Sequence, residues 1–90
     1  MSTTPSLDDI LAAIRDELTE IKVPGAQDAG PDSTWADLDV DSLDLVEVVK
    51  ALEDRYGVQI ADGRLKGIES VGDAIALVQE LVTEREGARA

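Results

Sequence analysis

Ninety residues, 43% of them hydrophobic, suffice for one core and not for two, so a single domain spanning 1–90 is expected. Twenty acidic residues against eight basic ones give a net charge of −12, which repels phosphate backbones, excludes nucleic acid as a natural partner and suits basic protein surfaces. There is no Cys and no His, so a disulfide framework, a thiolate nucleophile, a zinc–thiolate site and the commonest general base are all excluded.

No apolar run approaches membrane-spanning length, and the N-terminus lacks the basic-then-apolar order of a signal peptide. A soluble, cytoplasmic monomer with no membrane partner is the expectation. Trp35 and Tyr56 are the only aromatic residues, so the core must be built from Leu, Ile, Val and Ala.

The first predicted element is an amphipathic helix from about Ser6 to Lys22. Leu7, Ile10, Leu11, Ile14, Leu18 and Ile21 recur at spacings of three and four, which places them on one face. Either Thr4 ahead of Pro5, or Ser6 with Asp9 three residues on, would cap it, and Pro24-Gly25 would stop it. A polar stretch from about Val23 to Asp41 follows, long enough that some of it should be ordered. Trp35 and Leu38 are its expected anchors, and Thr34 could begin a short helical turn.

A second helix should run from Ser42 to Tyr56, with Leu45, Val46, Val49, Leu52 and Tyr56 as its apolar stripe and Gly57 as its stop. Val58 and Ile60 then return toward the core, and a short helix is expected over Asp62 to Lys66, ended by Gly67. The last helix starts after Ser70, with Asp73 completing a capping box. Val71, Ala74, Ile75, Val78, Leu81 and Val82 form its buried side, and fraying is expected from Thr83. The fold class is therefore all-α, with three main helices, one short helix and a long first loop. The ordered core should cover about 6–83 and a frayed tail 84–90.

The densest acidic region surrounds a serine. From Asp37 to Asp54 the chain carries Asp37, Asp39, Asp41, Asp44, Glu47, Glu53 and Asp54, and Ser42 lies among them at the head of the second helix, between Asp41 and Leu43. A phosphodiester there would meet the positive end of the helix dipole and its free N–H groups. No Cys, His or suitably placed Lys could deprotonate the hydroxyl, so Ser42 reads as another enzyme's substrate and not as a nucleophile in its own right. The structural alternatives are a simple helix cap for Ser42 or Asp41, an ordinary core residue for Leu43, and a solvated helix face for Asp44 and Glu47.

Asp41-Ser-Leu43, preceded by Asp37-Leu-Asp-Val40 and followed by Asp44-Leu-Val-Glu47, resembles the attachment site of bacterial acyl carrier proteins. Ala51-Leu-Glu-Asp-Arg-Tyr-Gly-Val-Gln-Ile60 is similar to that family's passage from the second helix into the next loop, and Ser70-Val-Gly-Asp-Ala74 to the start of its last helix. The resemblance covers about Leu7 to Leu81. It implies an acyl-carrier-like four-helix bundle that is not an enzyme, and a covalent 4'-phosphopantetheine taken from coenzyme A by a phosphopantetheinyl transferase onto Ser42. By the same resemblance Asp41 presents the serine to the transferase and its metal ion, and Leu43 is a partly exposed contact.

The resemblance further implies that Asp44 and Glu47, extended by Glu53 and Asp54, meet basic docking patches. The partners would be ketosynthase, acyltransferase, reductase, dehydratase or acyl-ligase enzymes. The pathway would be type II polyketide or fatty acid biosynthesis. Lys50, at a position often apolar in fatty-acid carriers, and Ala61, where many members have Pro, lean toward secondary metabolism. The start at Met1 and the short tail suggest a discrete protein and not a module. Apolar cargo is expected to enter between the helices, lined by Leu45, Val46, Val49, Ile60, Ile68 and Ile75.

Three other readings are weighed against this one. Asp37, Asp39 and Asp41 alternate like an EF-hand loop, but Ser42 then falls where Gly is required and Val48 where a bidentate Glu is required, so no metal site is assigned. A peptidyl or aminoacyl carrier would show a Gly-Gly-x-Ser type of context and less acidity. An acidic helical interaction domain without a prosthetic group is opposed only by the context of Asp41-Ser42-Leu43.

Overall fold

The computed structural model describes residues 5–88. Four helices appear in the expected order, α1 (Leu7–Glu20), α2 (Ser42–Tyr56), α3 (Asp62–Leu65) and α4 (Val71–Ala88), with a 3-10 turn at Ala26–Asp28 inside the long first loop. α1 packs on both α2 and α4, and α2 packs on α4. The shared core is aliphatic apart from Trp35, and no polar or charged residue is buried among the described residues.

Ser6 caps α1: its Oγ accepts the Asp9 N–H at 3.1 Å. The alternative cap, Thr4, lies outside the described residues. Ile10, Leu11, Ala13, Ile14 and Leu18 form the buried face. Leu7, expected on that face, is 44% exposed, because it precedes the first full turn and overhangs the end of the bundle.

The stop of α1 also differs from expectation. Lys22 takes a left-handed φ of 63°, and its N–H bonds to Thr19 O while the Val23 N–H reaches back to Leu18 O at 2.9 Å. This paired closure ends the helix before Pro24 is reached.

The long loop is held at several points. Ala26 and Ala29 are buried, and the Arg15 Nε donates to Ala29 O at 2.7 Å. Farther on, an isolated antiparallel bridge joins Thr34 to Ser70, with Trp35 N–H on Glu69 O and Val71 N–H on Ser33 O. Gly72 closes this clasp by donating to Pro31 O at 2.8 Å. A Cβ at that position would stand 2.7 Å from the same oxygen, so the approach needs glycine. Thr34 does begin a turn, its Oγ1 accepting the Asp37 N–H at 3.0 Å. Trp35 is buried and Leu38 half-buried, as anchors should be.

α2 ends at Gly57, whose φ of 65° is the left-handed conformation that glycine adopts without strain. Its buried residues are Val48, Val49 and Leu52, with Leu45 and Tyr56 packed at the edge. Val48, absent from the expected stripe, is 0% exposed, and Val46, included in it, is only half-buried. The inward face is thus the i, i+3, i+4, i+7 set starting from Leu45.

α3 is pinned to α4 by an ion pair between Arg64 and Glu80 at 2.9 Å, whose two side chains are about half exposed. Such a pair contributes at most about 1 kcal/mol. α4 is entered through Ser70, whose Oγ accepts the Asp73 N–H, while Asp73 Oδ2 accepts the N–H of Glu69. Helix continues past the expected fraying point at Thr83 to Ala88, the last two residues lying outside the described range. Arg85 gives that last turn a function in the fold. Its Nη1 donates to Tyr56 O at 3.0 Å and Gly57 O at 2.7 Å, satisfying carbonyls left open at the end of α2.

Candidate functional site

The loop clasp delivers the chain to the head of α2 through Val40, which is buried and donates its N–H to Trp35 O at 2.9 Å. Asp41 follows in an extended conformation and is the N-cap. Its Oδ1 accepts the Asp44 N–H at 2.9 Å, and its carbonyl accepts the Leu45 N–H at 2.9 Å. Capping by a carboxylate satisfies one open donor of the first turn and contributes about 1 kcal/mol.

Because Asp41 occupies the cap, Ser42 is the first helical residue and does not serve as one. It is exposed, and its hydroxyl has no hydrogen-bond partner among the described residues. The N–H groups of Ser42 and Leu43 have no acceptor within the helix and face the same end. Ser42 therefore combines an accessible, uncommitted hydroxyl with the positive pole of a helix of 15 residues. A covalent phosphodiester fits that setting: the arm would hang from Oγ, and its negative charge would lie against the open N–H groups. When present, the arm supplies a thiol, which this chain lacks entirely.

Leu43 is 78% exposed, the largest exposure of any big apolar side chain in the described structure. It heads an outward row at helical spacing with Glu47, Lys50 and Asp54, all exposed. Asp44 is half-buried on the flank nearer the core. Glu53 lies on the opposite flank, half-buried, and its Oε2 accepts the Ile60 N–H at 2.7 Å, so it also ties the loop after α2 to the helix. The structure thus groups Leu43, Glu47 and Asp54 with Ser42 and Asp41, and sets Glu53 apart. No carboxylate of α2 is ion-paired among the described residues.

Sequence reasoning did not find that this charge continues onto α1. Glu17 is half-buried in a cleft of about 250 Å³ between α1 and α2, lined also by Ala13, Glu20, Ala51, Leu52 and Arg55. Its carboxyl is pushed above the ordinary value of 4.5, first by burial and then by the negative charges of Glu20 and of Glu47 across the cleft.

The folded state consequently holds the Glu17 proton more tightly than the unfolded chain does. Below pH 4.5 both states are protonated and the penalty is absent. Above 4.5 the penalty grows, and it is complete once the pH has passed the raised folded-state value. Glu17→Gln should therefore raise the thermal midpoint at pH 7, with the gain vanishing below pH 4.5. A gain of equal size at both pH values would show that charge is not its cause.

Comparison with known proteins agrees with this geometry. A family model described as the phosphopantetheine attachment site matches residues 8–78. The meromycolate extension acyl carrier protein of Mycolicibacterium aurum is 36% identical over 86 residues, covering 94% of this chain and 89% of the relative. An acyl carrier protein of Acidothermus cellulolyticus is 39% identical over 71 residues, covering 78% and 84%.

Among solved structures, the 3,7-dioxo-octyl actinorhodin acyl carrier protein of Streptomyces coelicolor superposes with a TM-score of 0.74 at 27% identity. The match covers 94% of this chain and 99% of that one. The 3,5-dioxohexyl form, a triketide mimic, gives 0.72 at 28% identity, covering 93% and 98%. The chain belongs to the acyl carrier protein family, a family of carriers with a phosphopantetheine attachment domain. Its prosthetic group is phosphopantetheine, and its relatives include a meromycolate extension carrier and a carrier of the actinorhodin polyketide synthase.

Proposed function

We propose that Ser42 is the attachment residue and that a phosphopantetheinyl transferase is the enzyme that loads it. The observation that carries this is the division of labour at the head of α2: Asp41 takes the capping role, leaving the Ser42 hydroxyl exposed and uncommitted. In the transfer the Ser42 oxygen bonds to the phosphorus bearing the pantetheine arm. The phosphoanhydride bond of coenzyme A breaks, adenosine 3',5'-bisphosphate departs with that bond's electron pair, and the hydroxyl proton leaves to a base on the transferase. Asp41 lies next to the hydroxyl with its second carboxylate oxygen available to the transferase's metal ion.

Acyl intermediates then ride as thioesters on the arm. Leu43 supplies an apolar contact, and Asp44, Glu47 and Asp54 supply charge for basic patches on ketosynthases, acyltransferases and other enzymes of the pathway. Glu53 contributes from the flank. The protein acts as a monomer in the cytoplasm, and residues 1–90 form a single carrier domain.

The pathway we propose is type II polyketide synthesis. Support comes from likeness, over nearly the whole chain, to actinorhodin carriers solved with dioxo-acyl chains. The higher identity to the meromycolate extension carrier favours fatty acid elongation as the second reading. Protein isolated from its own cells should carry an oxygen-bearing acyl chain on the arm, read by mass spectrometry of the Ser42 peptide. A long saturated chain in its place would assign it to fatty acid synthesis.

A further inference from the structure

The core holds one polar group with no hydrogen-bond partner among the described residues. Trp35 is 5% exposed, and its Nε1 is the single buried side-chain nitrogen or oxygen without a hydrogen-bond partner among the described residues. A buried indole N–H normally finds an acceptor, and an unmet one costs free energy that a phenyl ring of similar shape would not. Every other residue of the buried cluster is aliphatic. A guest entering this buried cluster therefore meets aliphatic side chains and, at one position, an unpaired donor.

The backbone of Trp35 is tied to the segment that leads to the attachment point. Its backbone is fixed on both sides, the N–H on Glu69 O at 3.2 Å and the carbonyl receiving Val40 N–H at 2.9 Å. Val40 is two residues before Ser42, and consecutive Cα atoms are 3.80 Å apart, so the two Cα atoms are separated by at most about 7.6 Å. Trp35 also belongs to the same buried cluster as Val49, Ile68 and Ile75, three of the residues expected to line the cargo path. An arm rooted at Ser42 therefore begins two residues from a backbone contact of Trp35.

We propose that the indole N–H of Trp35 is an internal hydrogen-bond donor for a carbonyl oxygen of an oxidised acyl chain, and that it discriminates β-keto from saturated cargo. The inference rests on the attachment reading above and extends it to the chemistry of the cargo. A keto oxygen that reaches Nε1 gains a bond and relieves an existing deficit. A saturated chain of the same length gains neither. One neutral hydrogen bond is worth about a fivefold shift between inserted and solvent-exposed cargo.

Trp35 is the only tryptophan, so the indole gives one side-chain N–H signal in a nitrogen-correlated NMR spectrum. The holo protein is loaded with hydrolysis-resistant 3-oxo-octanoyl or octanoyl analogues, and intact mass verifies each load before measurement. Failure to load counts against the attachment reading itself and is distinct from any result below.

In the 3-oxo form the indole proton should move downfield and exchange more slowly with solvent, while octanoyl should leave its hydrogen bonding unchanged. Trp35→Phe should abolish the difference that the two cargoes make at the amides of Val49, Ile68 and Ile75. An identical indole signal in both loaded forms overturns the proposal. So does a bound-water cross-peak at the indole that persists through loading. If Trp35→Phe does not fold, the indole signal of the parent decides alone.

Discussion

Val48→Asp should cost about 4 kcal/mol or more, while Val46→Asp, two residues away on the same helix, should cost about 1 kcal/mol or less. The asymmetry follows from which side of α2 faces inward. Val48 is 0% exposed and Val46 only half-buried, and no basic group is buried near enough to pair with a new carboxylate. A chain of 90 residues has roughly 5–13 kcal/mol of total stability, so the first loss is a large share of it. Urea titrations followed by far-ultraviolet circular dichroism would measure both. Equal losses would mean that α2 is rotated from the orientation described.

Reversing the charge at the head of α2 should be as severe for function. The double variant Asp44→Lys with Glu47→Lys should associate with a basic partner, such as the transferase that loads Ser42, about 10 to 1,000 times more slowly at low salt. Neither residue has an ion-pair partner in the fold, so the main structural consequence is a less favourable charge in the first turn, costing about 0.3–1 kcal/mol. Circular dichroism checks that the variant is folded. The deficit should narrow in about 1 M salt, where charges are screened beyond about 3 Å. Stopped-flow binding at the two salt concentrations reads both effects, and unchanged rates at low salt would remove the acidic row from docking.

The elements whose signals are local were legible in the sequence. Ser6, Asp41 with Ser42, Gly57 and Ser70 mark helix ends through capping and turn chemistry, and α2 begins and ends where those residues put it. The stop of α1 was not legible, because Lys22 takes a conformation rarely adopted outside glycine and Pro24-Gly25 is the louder signal. Val46 was read for Val48 because both are valines on an apolar stretch. Only the packing of α1 and α4 against α2 decides between neighbouring helical phases. The loop clasp joins Pro31, Ser33 and Trp35 to residues more than thirty positions away, and no local pattern announces such pairing.

At the candidate site the head of α2 was legible because Asp41 and Ser42 are adjacent residues of the capping type. Two other features were not. Glu53 reads as one more surface acid until its bond to the Ile60 N–H is seen, and Glu17 gains its neighbour Glu47 only when α1 and α2 meet.

The central claim is that the exposed Ser42 hydroxyl, and no other, receives the arm. The direct measurement is intact mass after incubation with coenzyme A, magnesium and a broad-range phosphopantetheinyl transferase, followed by fragmentation of the modified peptide. The parent should gain the mass of one phosphopantetheine, located on Ser42. Ser42→Ala should keep its helical circular dichroism and gain nothing, since Asp41 and not Ser42 caps α2. Modification of the Ala variant, or of Ser33 or Ser70 in the parent, would contradict the assignment.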